Sequence, residues 1–148
     1  MVLDHNSPTS ATFTSNGQYS DIPALIFDVN PSGDNLLPHS LSLSIISAGN
    51  NNSGQNVGGT VHLYQGKGAN MTPIGTAIIS NGVATFSQIA NTNTSPIDVG
   101  LINAFTVTVT ASLPISVSIS SFTLIDSAGN IVDVTGTVNG NTITASNI

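Results

Sequence analysis

Phe105-Thr106-Val107-Thr108-Val109-Thr110 and, past Pro114, Ile115-Ser116-Val117-Ser118-Ile119-Ser120-Ser121-Phe122-Thr123-Leu124 are the two runs that decide the fold. Apolar side chains hold the odd positions and hydroxyls the even ones as far as Ser120. That is the period of a strand with one face in a core. After Ser120-Ser121 the apolar phase moves to Phe122 and Leu124, and a one-residue phase shift inside a strand predicts a β-bulge. Pro114 marks the break between the two runs.

The same period extends outward in both directions. In Ile22–Val29, Leu25, Phe27 and Val29 share a face, and Ser40–Ile45 alternates hydroxyl and aliphatic. Val61 and Leu63 oppose His62 and Tyr64. Asn30–Asn35, Ser47–Gly59 and Gly66–Pro73 read as turns and loops by their Asn, Gly, Pro and Ser content. Two Asn-Gly pairs, Asn81-Gly82 and Asn139-Gly140, predict two-residue hairpins, because both central residues of a type I′ turn need positive φ. The first hairpin would place Ala77, Ile79, Ala84 and Phe86 on one face; the second, Val134, Val138, Ile143 and Ala145. Ser87–Gly100 is polar and is expected to cross between sheets. No segment carries a helical stripe. The expectation is an all-β, antiparallel, immunoglobulin-like sandwich of about eight or nine strands. It should span residues 18–148, behind an N-terminal extension or exchangeable strand over 1–17. Within that extension Ser10-Ala11-Thr12-Phe13-Thr14 alternates, which makes Ala11 and Phe13 the candidate assembly residues.

Composition excludes whole classes of function. The 148 residues include seven Asp, no Glu, one Lys and no Arg, for a formal net charge of −6, whereas Ser, Thr and Asn supply 54 residues. One Lys cannot displace counterions from a nucleic acid. The absence of Cys removes disulfides and thiolate metal sites. An apolar share of 39% with few charges is the reverse of a disordered composition. No apolar run reaches the length of a membrane helix, and the start shows no charged region followed by an apolar one.

Several motifs carry a resemblance. Gly59-Thr60-Val61-His62-Leu63-Tyr64, Pro73-Ile74-Gly75-Thr76-Ala77 and Ser80-Asn81-Gly82-Val83-Ala84-Thr85-Phe86 resemble immunoglobulin-like modules of large prokaryotic surface proteins. Phe105–Val109 and Thr123–Asn130 are similar to the closing strands of such modules. The pattern also resembles β-sandwich subunits of extracellular fibres, of the camelysin type or the donor-strand archaeal pili. The resemblance implies an extracellular structural or adhesive role without catalysis.

Candidate sites are few. Asp28, Asn30, Ser32 and Asp34 place oxygen ligands at alternate positions with Gly33 sixth, which partly follows a calcium loop. His39 stands where the bidentate acid would be, so a solvated turn is the competing reading. Asp126-Ser127-Ala128-Gly129-Asn130 reads as a hairpin loop. His5, His39 and His62 lie in separate segments. No Gly-x-Ser-x-Gly elbow and no Glu are available for hydrolytic chemistry, and calcium is the one candidate cofactor. Lys67 between Gly66 and Gly68 reads as a loop residue, a poor position for an internal Lys–Asn crosslink, which needs a buried amine with a lowered pKa. Without Trp, a sugar platform would have to use Tyr19 or Tyr64. The glycosylation triplets at Asn51, Asn70 and Asn93 fall in predicted loops. The functional expectation is a building block of a surface layer, adhesin, filament or pilus, whose partner is another copy or a neighbouring surface module. A virion structural or decoration protein is the first alternative, and a calcium- or carbohydrate-binding module the second.

Overall fold

The computed structural model describes residues 1–8, 10–13, 19–31, 36–47, 58–90, 93–111 and 114–147. They form strands β1 (Val2–Leu3), β2 (Ser10–Phe13), β3 (Tyr19–Val29), β4 (Leu37–Ser47), β5 (Gly59–Lys67), β6 (Asn70–Ile79), β7 (Val83–Phe86), β8 (Asn103–Ala111), β9 (Ile115–Ile125), β10 (Ile131–Asp133) and β11 (Val138–Asn147), and no helix among the described residues. One sheet has the order β1-β3-β8-β5-β6; the other is β2-β11-β9-β4-β7, with β10 beside β9. The chain is an all-β sandwich. Its pairs are antiparallel except β2 with β11, which run parallel. The strand count exceeds the eight or nine expected because β1 and β2 add one short N-terminal strand to each sheet.

The alternating residues meet between the sheets. Leu25, Phe27, Val61, Leu63, Phe105, Val107 and Val109 from one sheet and Leu41, Leu43, Ile45, Ile115, Val117 and Phe122 from the other are buried. At their centre Phe27 stacks on Phe105 with centroids 5.4 Å apart. Phe122 meets both edge-on, at 5.6 Å and 5.4 Å. The predicted bulge lies where the phase shift put it. Ser42 pairs with Ser121 and Leu43 with Ile119, which leaves Ser120 as the extra residue and turns both Ile119 and Phe122 inward. Ser87–Gly100 does cross between sheets, from β7 to β8, and Ile89 and Ile97 are buried along the way with their amides bonded to His39 O and Leu36 O.

Three local expectations need correction. Asn81-Gly82 is a tight turn with φ of 52° and 74°, but β6 and β7 belong to different sheets, and Ser80–Val83 is the one bridge between them. Ile79, Ala84 and Phe86 are buried as expected because the turn folds the chain over the edge of the sandwich. Asn139-Gly140 is no hairpin: both residues lie inside β11, at the irregularity between Asn139 and Thr142 where it pairs with β9. Glycine is needed there for close approach, since a Cβ would sit 2.4 Å from Val117 O and 3.1 Å from Leu25 Cδ1. The loop expected over Gly66–Pro73 is instead a tight β5–β6 hairpin. Lys67 pairs with Asn70, and Gly66 (φ 106°) and Gly68 (φ 66°) turn the corner. The glycosylation triplet at Asn70 therefore opens a strand, while Asn51 lies outside the described residues.

Gly82→Val and Gly140→Ala should each lower stability by about 1–3 kcal/mol, the first through strain at positive φ and the second through overpacking. Gly58→Ala, with nothing within 4 Å of its added Cβ, should stay within about 0.5 kcal/mol. Thermal denaturation of the three variants checks this, and equal shifts would remove both assignments.

Candidate functional site

The N-terminal residues form a strap along the free edge of β3. Val2 and Leu3 pair with Asp28 and Phe27, and the Asp4 amide continues the ladder to Ile26 O. Ser7 Oγ then accepts a hydrogen bond from the Ile26 amide. Leu3 packs against the core, so period-two alternation turns Asp4 to the outer face, where Asp28 also lies because its neighbour Phe27 is in the core.

On that face stands the one concentration of charge among the described residues. Lys67 Nζ donates to Asp4 Oδ2 at 2.6 Å, and the Asp4 side chain is 1% exposed against 37% for Lys67. In the sheet order β3 and β8 separate the strap from β5, so this contact runs across the face of both strands. Ala104, the register partner of Asp28, is small where the lysine crosses. Thr106 Oγ1 donates to Gly66 O and ties the root of the hairpin to β8. The Asn6 amide donates to Asp4 Oδ1 at 2.7 Å, while Asp28 Oδ1 is buried without a partner among the described residues.

Burial alone would raise the Asp4 carboxyl, but hydrogen bonds with Lys67, the Asn6 amide and Asp28 outweigh it and hold its pKa at about 2. Asp28 goes the other way. Burial, its hydrogen bond to Asp4 and the Asp4 charge push it up to about 6, against a smaller pull from Lys67 and His5. The Lys67 pKa is raised, chiefly by its hydrogen bond to Asp4. A charged, part-exposed amine is the opposite of the nucleophile a Lys–Asn crosslink would need, so the cluster acts as an electrostatic clasp. Lys67 is not the free loop residue the sequence suggested.

The residues singled out from sequence are dispersed. Asp28 is committed to the clasp, Asn30 borders a cavity at one end of the sandwich, and Ser32 and Asp34 lie outside the described residues. No group of three His, Asp or Glu side chains suited to a metal ion occurs among the described residues. His39 Nδ1 lies 3.2 Å from Thr123 Oγ1 on the second sheet, and His62 Nδ1 lies 3.1 Å from Thr76 Oγ1 on the first. Asp126 closes its own hairpin as expected: Oδ1 accepts from the Ala128 and Asn130 amides and Oδ2 from Asn130 Nδ2. β2 pairs with its own β11, Ala11 opposite Ala145 and Phe13 opposite Asn147. The clasp escaped the sequence reading because 24 and 63 residues separate Asp4 from its partners; the one available signal was that the only lysine had to lie somewhere.

Cavities and sheet edges mark other parts of the described surface. A cavity of about 430 Å³ is lined by Val29, Asn30, Leu36, Leu124, Asp126 and Val132. Another of about 310 Å³ lies by Gln65, Ser95, Asp98 and Asn103. Its polar groups are engaged: Gln65 grips the Ser95 backbone at both ends, and Asn103 Nδ2 bonds to Asp98 O and Leu101 O. The outermost strands β1, β2, β6 and β7 contain no charged residue. Pro73 and the register shift beside it interrupt β6, but Gly75–Ile79 continues uninterrupted with Ile78 74% exposed.

No family model and no curated protein matches the chain. Among solved structures it is similar to "Hadza microbial sialidase Hz136", with a TM-score of 0.53 and 12% identity over 94% of this chain and 31% of that one. The chain thus spans about a third of that protein's length, and the likeness is one of fold: a β-sandwich module. No helix among the described residues is long and apolar enough to cross a membrane.

The clasp sets a pH signature. Asp4, with its pKa depressed, stabilises the fold above the ordinary carboxylate range and loses that contribution as pH falls toward about 2. Asp28, with its pKa raised, contributes fully below the ordinary range and loses it as pH rises through about 6. The melting temperature should therefore peak near about pH 4–5. Asp28→Asn should flatten the upper limb and Asp4→Asn the lower. A wild-type profile that rises steadily from pH 4 to 7 would contradict the assignment.

Proposed function

We propose that this β-sandwich is a non-catalytic, immunoglobulin-like building block of an extracellular assembly, a surface layer, adhesin or filament, that joins copies by sandwich packing and strand addition. The supporting observation is the absence of charge from the four strands that end the two sheets, β1 and β6 in one and β2 and β7 in the other, Asp133 of the short β10 being the one charge on a further unpaired edge. Monomeric sandwiches commonly guard such edges with Lys and other charges, because unpaired N–H and C=O groups invite another strand. Here the exposed faces are mostly Ser, Thr and Asn, which lie against a neighbour without removing a full charge from water. The N-terminal segment with Ala11 and Phe13 is the strand proposed for exchange. A virion shell is the same physical role in another setting.

A second reading, a carbohydrate-binding module, draws on the fold likeness to part of a sialidase. Glycan-array binding that survives Ile78→Lys would favour it over assembly.

Negative-stain microscopy and concentration-dependent light scattering of the native chain should show ordered oligomers or filaments. Ile78→Lys and Thr85→Lys place charges on the two uncharged edges β6 and β7. They should suppress assembly with melting temperatures shifted by no more than a few degrees, about what a surface substitution causes. A chain that stays monomeric at all concentrations would overturn the reading.

A further inference from the structure

Strap and clasp together make a recognition element, and the inference from them rests on the strand-addition reading above. The contacts that hold the strap join one short segment to the body: the β1–β3 pairs, the Met1 ammonium on Thr135 O, the Asp4 amide on Ile26 O, the Ile26 amide on Ser7 Oγ, Asn141 Nδ2 on the Ser7 and Pro8 carbonyls, the β2–β11 ladder and Lys67 on Asp4. Each copy carries both halves, so the strap of a second copy can make the same set. The strap also flanks both sheets, and its departure uncovers the edges of β3 and β11 together. Most of its length is apolar or hydroxylic and could slip in register. Asp4 cannot, because a slip of one residue would turn its carboxylate into the core. Its buried position is tolerable only where a cation meets it, and the chain has one Lys and no Arg.

We propose that Asp4 and Lys67 form the register lock of an exchanged N-terminal segment, and that the strap site is filled in the assembly by residues 1–13 of a second copy of this chain. The lock is tight when the cluster holds one carboxylate, one ammonium and one neutral acid. It loosens when Asp28 ionises and repels Asp4. The groups facing Asp4 are Asp28 from β3, Lys67 from β5 and its neighbour His5, whose Nδ1 is 3.8 Å away. Loss of the Asp28 proton favours strap departure, so exchange between copies should be slow at mildly acidic pH and faster above about pH 6.

The test uses the full chain. Heavy-isotope-labelled and unlabelled protein are mixed at about pH 5 and about pH 8 and the appearance of mixed-label oligomers is followed by native mass spectrometry. Hydrogen exchange at the Asp4 and Ile26 amides, which bond across between strap and body, is read alongside. The expected result is mixing that is faster at the higher pH. In Lys67→Met, and separately in Asp4→Asn, mixing and exchange at both amides should be about tenfold faster at the lower pH, with β4 and β9 unchanged. Asp28→Asn should hold the slow rate at both pH values. Mixing that is indifferent to Lys67 and Asp4 would overturn the lock while leaving strand exchange standing. Filaments that form without any strap exchange would overturn the proposed occupant. A protein that is monomeric throughout would remove the assembly reading itself. Protection lost equally in β4 and β9 would mean general destabilisation and would also overturn the lock.

Discussion

The sandwich depends on three phenylalanines meeting across its middle. Phe27 and Phe105 come from neighbouring strands of one sheet and Phe122 from the other. Stacked and edge-on pairs of this kind contribute about 0.5–1.5 kcal/mol each beyond the area they bury. Their geometry constrains much else. Phe27 faces inward, so Asp28 must face outward, which starts the clasp. Phe122 faces inward only because Ser120 is an extra residue in β9. The same bulge lets Ile119 and Phe122 serve one core across β4 although three positions separate them.

Charge is the second constraint, and its scarcity makes its placement informative. Of eight charged side chains in 148 residues, Asp4, Asp28 and Lys67 converge on one point, and Asp126 spends both carboxylate oxygens inside its own hairpin. Half of the charged side chains therefore hold segments of the molecule in place. Strands β1, β2, β6 and β7 are left without charge, so a strand laid against them, as in the proposed assembly, would desolvate no ion.

What could be read from the sequence follows from how local each signal is. Alternation is a property of five or six consecutive residues, so the core faces of β3, β4, β8 and β9 and the bulge at Ser120 were all legible. Asn-Gly is local as well, but it reports only tolerance of an unusual backbone. At Gly82 that tolerance makes a turn between sheets. At Gly140 the missing side chain instead admits Val117 O from the next strand, a requirement set by a residue 23 positions away. By composition Gly66–Pro73 reads as a loop, but its two glycines supply the positive φ of a tight corner. The clasp was illegible for the same reason: its members become neighbours only after β3, β8 and β5 are ordered side by side.

That ordering explains why the only lysine sits at the end of β5. From there the side chain can cross β8 and β3 on the outer face and reach the strap, tying four neighbouring parts of one sheet with a single contact. Because Asp28 keeps its proton to about pH 6, the brace needs one cation for two acids under mildly acidic conditions and is short of one above them. The chain has no second Lys and no Arg with which to make up that deficit. The strap is thus the part of the sandwich whose attachment the surroundings can change while the phenylalanine core stays as it is.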